Sequence, residues 1–384
     1  MTRRILIVPD KFKKSLSALE AAGAIGRGWA AACPDDTLAL LPMSDGGDGF
    51  GPVMADALGL EEQLVEVVDA AGQARPASWW FDFESGQAVV ETAQSNGLAL
   101  LPWRRFHPFD LDTRGVGQLL LAAGQAGATH CLTGIGGSAT NDGGFGMART
   151  LGWVFRDESG TVIEQWTGLE GLAAIESPSG RAWPRVTVAS DVHNPLLGVD
   201  GATPVYGPQK GMRPEDFAKV DACLGRLAKV TAETLGSDFS VTPGAGAAGG
   251  LGFGLMAFAG ATIESGFEVF AKATDLESKV GEADFVVTAE GAIDEQTLMG
   301  KGTGQVAALC LRLGKPCIGL AGQLALGQTE FDPGRRLFRR LAAIVPDLAT
   351  EPEAMANAAT HLEQLAKREG DVSEDTNFTD QHGA

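Results

Sequence analysis

Short apolar runs that stop at proline, glycine or aspartate recur along this chain. RILIV at residues 4–8 ends at Pro9 and Asp10. An unbroken run of that length predicts a buried strand that delivers a polar turn. The segment after it, LSALEAAGAIGRGWAAA, is rich in alanine with spaced large apolar residues. It predicts a helix capped by Ser15 or Ser17 and ended by Pro34 and Asp35. LALLPM predicts a second strand, running into SDGGDG. Near residue 62 the pattern shortens, and QLVEVVDA, ASWWFDF and QAVVETA read as β-rich segments. GVGQLLLAAGQAGA returns to a helical period, HCLTGIG and RVTVASD to strands, and LGFGLMAFAG to a helix with close-packing glycines. ADFVVTAEGAID repeats the strand-to-loop pattern, followed by the helix GQVAALCLRL, the strand PCIGLAGQ, and the segments RRLAAIVPDL and EAMANAATHLEQLAKR. Strands alternating with helices predict an α/β fold with parallel sheets and right-handed crossovers. A second domain is expected to begin around 65–80.

The 384 residues allow two domains, and 44% hydrophobic content supports substantial cores. A formal net charge of -19, with no long Lys/Arg tract, argues against nucleic acid and anionic membranes as partners. It leaves an anionic nucleotide open, since local lysines, N–H groups and a cation reverse the field in one cleft. Five cysteines without a CxxC pair predict neither a disulfide framework nor a zinc site, and point to a reducing cytoplasm. The opening MTRRILIVPD reads as a strand rather than a signal peptide, and no apolar stretch of membrane-spanning length is found.

The 52 glycines cluster beside Asp, Ser, Thr and Asn, as they do where backbone approaches a ligand or simply turns. In PDKFKKSLSA, Lys11, Lys13 or Lys14 is a candidate phosphate contact, with Asp10 orienting Lys11 or approaching a cation. In SDGGDG, Asp45 and Asp48 could face a cation or a substrate hydroxyl. GIGGSATNDGG is the strongest local candidate. Gly136, Gly137 and Ser138 or Thr140 can cradle phosphate oxygens, while Asn141 and Asp142 suit a substrate or hydrated Mg²⁺. In SDVHNPLLG, Asp191 could accept or orient a hydroxyl proton, Asn194 could hold a substrate oxygen, and His193 could titrate or pack. Lys210 in YGPQKG could neutralise phosphoryl charge. In TAEGAIDEQTLMGKGT, Glu290 and Asp294 could orient Mg²⁺ and its water, with Lys301 on phosphate. For each of these loops a purely structural turn is the alternative.

Two glycine patterns raise a nicotinamide-dependent oxidoreductase as another reading. Gly134, Gly136 and Ala139 fit a relaxed GxGxxA, with Asp157 at a suitable distance for a ribose contact, but NDGG interrupts the helix that should follow. Gly244, Gly246 and Gly249 fit GxGxxG without a convincing strand before them. Neither a GxxxxGKS nor a GxxxxGKT loop occurs, and HRD and DFG signals are absent. A noncatalytic nucleotide or sugar-acid binder is the third reading.

Taken together, PDKFKKSLSA, MSDGGDG, GIGGSATNDGG, SDVHNPL, YGPQKG, PGAGAAGG and AEGAIDEQTLMGKGT resemble the bacterial type I glycerate kinase family, in its glycerate 2-kinase branch. They follow the family order from residue 9 to 303, and the similarity extends to about residue 365. The resemblance implies ATP-dependent, Mg²⁺-requiring phosphorylation of D-glycerate and favours 2-phosphoglycerate, with a glycerate 3-kinase as the alternative that the loop chemistry alone leaves open. Within it, Asp191, Lys11 and Lys210 are the expected catalytic residues. Asp45, Asp48, Gly136, Gly137, Ser138, Asn141, Asn194 and Lys301 are expected on substrate or phosphate, and Asp142, Glu290 and Asp294 on metal. It also implies two α/β domains around a cleft: a flavodoxin-like parallel-sheet domain from residues 1–70 and 281–370, and an inserted mixed α/β domain from 71–280. A disordered tail is expected at 371–384. The chain departs from the family pattern at Ala289, which replaces a glycine, at Ala292, which replaces a basic residue, and at Val116 and His193, where threonine is usual.

Overall fold

β1 is Arg4–Pro9, and all of it but Arg4 is buried, as an unbroken apolar run in a parallel sheet requires. This strand opens the chain in a computed structural model that describes residues 2–102, 105–326 and 337–374. The remaining strands are β2 (Thr37–Leu40), β3 (Glu61–Val68), β4 (Ala74–Asp82), β5 (Gln87–Glu91), β6 (His130–Gly134), β7 (Val154–Asp157), β8 (Leu172–Glu176), β9 (Arg185–Ala189), β10 (Thr262–Glu264), β11 (Phe285–Asp294), β12 (Cys317–Ala325) and β13 (Arg340–Val345). Two units divide the chain: Met1–Ser44 with Phe270–Ala384, and Asp45–Val269. The sequence-based boundaries stand at 70/71 and 280/281. β3 pairs along its length with β4 (Glu61↔Phe81 to Val68↔Ala74), which draws residues 61–68 into the middle unit. Of the expected tail, 375–384 lies outside the described residues, while the helix Ala358–Glu374 runs through its start.

The first unit is an all-parallel sheet in the order β13-β12-β11-β1-β2. Counting only this unit's strands from the other edge gives second, first, third, fourth, fifth, the flavodoxin-like order. The order reverses between β1 and β11, and ligands of open α/β sheets bind beyond the strand C-termini at such a point. Ser17 caps the helix Ala18–Ala32 in a reciprocal box: Glu20 N–H donates to Ser17 Oγ, and Ser17 N–H donates to Glu20 Oε2. Gly28 brings this helix against Ala358–Glu374, since a Cβ there would stand 2.1 Å from the Glu363 carbonyl oxygen.

The middle unit carries a mixed sheet ordered β10-β9-β6-β5-β4-β3. β10, β9, β6 and β5 are parallel, and β4 and β3 add antiparallel edges. The predicted helices appear at Arg114–Gln125 and Ala247–Ala259. The second kinks at its start, where Ala248, Gly249 and Gly250 take left-handed φ. The helix Phe217–Leu235 and the β7–β8 hairpin have no counterpart among the predicted elements. No helix among the described residues is long and apolar enough to cross a membrane.

Candidate active site

In the middle unit, the loops after β5, β6, β9 and β10 leave the same edge of the sheet, because those strands run parallel. The SDGGDG loop is set among them. Gly136 N–H donates to the Gly46 carbonyl at 3.1 Å. Gly46, at φ +90°, lies so close to the end of β9 that a Cβ would stand 2.0 Å from the Ala189 oxygen. Asp45 accepts from Gly47 N–H at 3.1 Å. Asp48 is exposed, and its Oδ1 would stand 1.7 Å from a Cβ on Gly137. Residues far apart in sequence thus place Asp45, Asp48, Gly136 and Gly137 together. Glu91, at the end of β5, fixes this arrangement by accepting from Gly49 and Gly51 N–H at 2.8 and 3.1 Å. Sequence reasoning missed Glu91; the signal was a lone acid closing an otherwise apolar strand.

Lys210 is buried beside the GIGGSATNDGG loop. Its Nζ donates to Ser138 Oγ at 2.8 Å and to the Thr140 carbonyl at 2.7 Å. Burial lowers its pKa to about 7, against an upward pull from the Asp142 charge. Gly249 makes room for this contact: a Cβ would stand 2.0 Å from the Thr140 oxygen and 2.9 Å from Lys210 Nζ. Asn141 is buried, and neither its amide nitrogen nor its amide oxygen has a protein partner. A buried amide with nothing to bond is costly in an empty site and is satisfied by ligand or water.

Asp142 was expected on a metal, but its carboxylate points into the fold. Oδ2 accepts from Thr113 N–H (2.9 Å), Thr113 Oγ (2.8 Å) and Gly146 N–H (2.9 Å), and Oδ1 accepts from Gly144 N–H at 3.2 Å. Burial, with the nearby Asp112 charge, pushes its pKa up to about 6, while those donors pull it down. Asp142 therefore acts as the brace of its loop, and a coordinating role would require breaking that set. Asn194 is likewise engaged: its Nδ2 donates to the Asp200 carbonyl and its Oδ1 accepts from Tyr206 OH, each at 2.7 Å. Asp191, half-buried at the end of β9, accepts through Oδ1 from Ser265 Oγ (2.7 Å) and Gly266 N–H (2.9 Å). Its Oδ2 accepts no hydrogen bond among the described residues. His193 is exposed beside it.

In the first unit, the pairing Pro9↔Ala289 sets Asp10, just past the end of β1, beside Glu290, which lies within β11, where the order of the sheet reverses. Asp10 N–H donates to the Ala289 carbonyl at 2.7 Å, and Asp10 Oδ1 accepts from Lys11 N–H at 2.7 Å. Gly302 lies opposite: a Cβ there would stand 3.7 Å from Asp10 Oδ2 and 3.7 Å from Glu290 Oε2. Glu290 Oε1 accepts from Thr297 Oγ at 2.8 Å and from the Thr303 hydroxyl. Burial raises the Glu290 pKa most, Asp294 adds to the rise, and the two hydroxyls and Lys13 oppose it. Asp294 uses Oδ1 to cap the helix Glu295–Leu298, accepting from Gln296 and Thr297 N–H at 2.8 and 3.1 Å. Lys301 is exposed, with Nζ at 3.3 Å from Gln296 Oε1. No group of three or more His, Cys, Asp or Glu side chains suited to a metal is assembled among the described residues.

The profile of the glycerate kinase family matches residues 5–372. The chain belongs to that family. The glycerate kinase of Halalkalibacterium halodurans is 40% identical over 376 residues, covering 96% of this chain and 98% of the relative. The glycerate 2-kinase of Escherichia coli is 40% identical over 327 residues, covering 84% of this chain and 85% of the relative. A crystal structure from Salmonella typhimurium LT2 carrying the designation glycerate kinase 2 superposes with a TM-score of 0.83 at 37% identity, covering 97% of this chain and 98% of that one. Family membership removes the ground for the oxidoreductase reading. The structure accounts for its glycine patterns otherwise: Gly244 and Gly249 serve backbone packing, and no helix follows β6 until Phe145.

Proposed function

We propose that this member of the glycerate kinase family transfers the γ-phosphoryl group of ATP to D-glycerate, forming 2-phosphoglycerate and ADP. The observation that carries the reading is similarity along almost the whole chain to relatives named for that activity. The 2-position rests on the glycerate 2-kinase among them. Phosphoryl transfer asks mainly for alignment and charge stabilisation. Lys210, fixed against Ser138 and Thr140, supplies a buried cation beside the glycine loop. Asn141 supplies an unpaired donor and acceptor. Asp191, held by Ser265 and Gly266 through one oxygen, keeps the other to orient the glycerate hydroxyl and accept its proton. Asp45 and Asp48 are proposed on the substrate hydroxyls, with Lys11 and Lys301 on phosphate.

Mg²⁺ is commonly held by one or two carboxylates together with substrate phosphates. Asp10 and Glu290 fit that role, since an oxygen of each faces the side of Gly302 that a side chain would fill. Bound there, the ion would neutralise charge on the β- and γ-phosphoryl oxygens. The Thr297 and Thr303 hydroxyls fix the Glu290 carboxylate for this purpose. Five buried cysteines outside any disulfide suit the reducing cytoplasm proposed as its location.

Purified protein incubated with ATP, MgCl₂ and D-glycerate should release ADP in step with phosphoglycerate, and excess chelator should stop both. A folded protein that forms ADP without phosphoglycerate, or neither, contradicts the proposal.

A further inference from the structure

An apolar pocket opens beside Lys210 in the middle unit. Leu98, Leu101, Phe106, Leu111 and Pro208 line it, with Lys210 in the same wall. About 80 Å³ of it is open to a water-sized sphere, several times the space one water needs. The lining does not match glycerate, whose three carbons carry a carboxylate and two hydroxyls and offer no apolar face. A nucleotide has both characters required: a flat, largely apolar base and an anionic phosphate chain.

The wall residues and the glycine loop are built as one piece. Leu98 N–H donates to the Gly137 carbonyl at 2.8 Å, and Ala139 N–H donates to the Asn96 carbonyl at 2.8 Å. Asn96 is buried, and its Nδ2 donates to Thr140 Oγ at 3.3 Å while its Oδ1 has no protein partner. With Asn141, this makes two buried amides with unmet hydrogen-bonding capacity next to a buried ammonium and an apolar pocket. Unmet polar groups beside apolar walls are the usual make-up of a ligand site.

We propose that this pocket receives the purine ring of the nucleotide, with the phosphate chain directed toward Lys210 and the glycine loop. The inference rests on the kinase reading for the identity of the nucleotide. It adds a subsite: Leu98, Leu101, Phe106 and Leu111 determine the affinity for the base.

Two measurements test it. Leu101→Trp fills the pocket and should raise KM for ATP about tenfold or more, with KM for glycerate changed less than about twofold. An unchanged KM for ATP, or a rise confined to glycerate, overturns the assignment. The unaltered protein is also photolabelled with 8-azido-ATP and mapped by peptide, which keeps the test independent of how the variant folds. Label within residues 98–111 or 206–211 that excess ATP suppresses supports the subsite, even if no phosphoglycerate is formed, in which case only the acceptor assignment fails. Label confined to other peptides, or none that ATP suppresses, overturns it.

Discussion

A lysine ammonium held inside a protein is stable only when acceptors surround it, and Lys210 has two. Its pKa is about 7 in the fold and has the ordinary value of 10.5 in the unfolded chain. Between those pH values the unfolded chain carries the extra proton, so this residue makes stability rise with pH from about 7 to about 10.5. Comparing unfolding free energies of the wild type and Lys210→Met across that range isolates the effect. The difference should shift in favour of the wild type as pH rises and stay flat below pH 6. Asp142 should behave as a brace. Asp142→Asn leaves donors from Thr113 and Gly146 facing an amide that cannot satisfy them all, at a cost of about 2–3 kcal/mol in denaturant unfolding. Asp191→Asn keeps size and removes the anion. If Asp191 accepts the hydroxyl proton, kcat should fall by roughly 10²-fold or more while the melting temperature holds; a change in KM alone would reassign it to positioning.

At the scale of elements, the strand-to-loop pattern of the sequence carried the most information. RILIV, HCLTG, RVTVA and FVVTA fall in β1, β6, β9 and β11; the polar residues after the first three lie in loops, whereas β11 continues through Glu290 to Asp294, where a loop was expected. What the pattern could not supply was which loops meet. Gly46 against Gly136, and Lys210 against Ser138, join positions about 70–90 apart in sequence, and such pairings follow from sheet order rather than from any local period. The bracing roles of Asp142 and Asn194 were hidden for the same reason: a carboxylate or an amide in a loop looks alike whether it faces solvent or the donors of Thr113 or Tyr206. The kink at Ala248–Gly250 was readable only as glycine content. It places Gly249 at φ +72°, flush against the Thr140 carbonyl. Gly249→Ala adds a Cβ into backbone and should destabilise the protein by roughly 2–4 kcal/mol, checked by denaturant titration.

At the scale of the molecule, the flavodoxin-like sheet draws β1 and β2 from the start of the chain and β11 to β13 from its end. We propose that this unit is a discontinuous folding domain. β1 has β11 on one side and β2 on the other, and without β11 its buried row of Ile5, Leu6, Ile7 and Val8 loses a hydrogen-bonded neighbour. A fragment of residues 1–70 should therefore give a circular dichroism spectrum without cooperative thermal unfolding, and a cooperative transition would count against the proposal. The central claim is chemical, and phosphorus NMR of the first product tests it most directly. With ATP, Mg²⁺, D-glycerate and no mutase present, the account predicts that the 2-phosphoglycerate resonance grows as ADP forms. A dominant 3-phosphoglycerate resonance would contradict the position of transfer, and loss of ATP with no phosphoglycerate resonance would contradict the transfer itself.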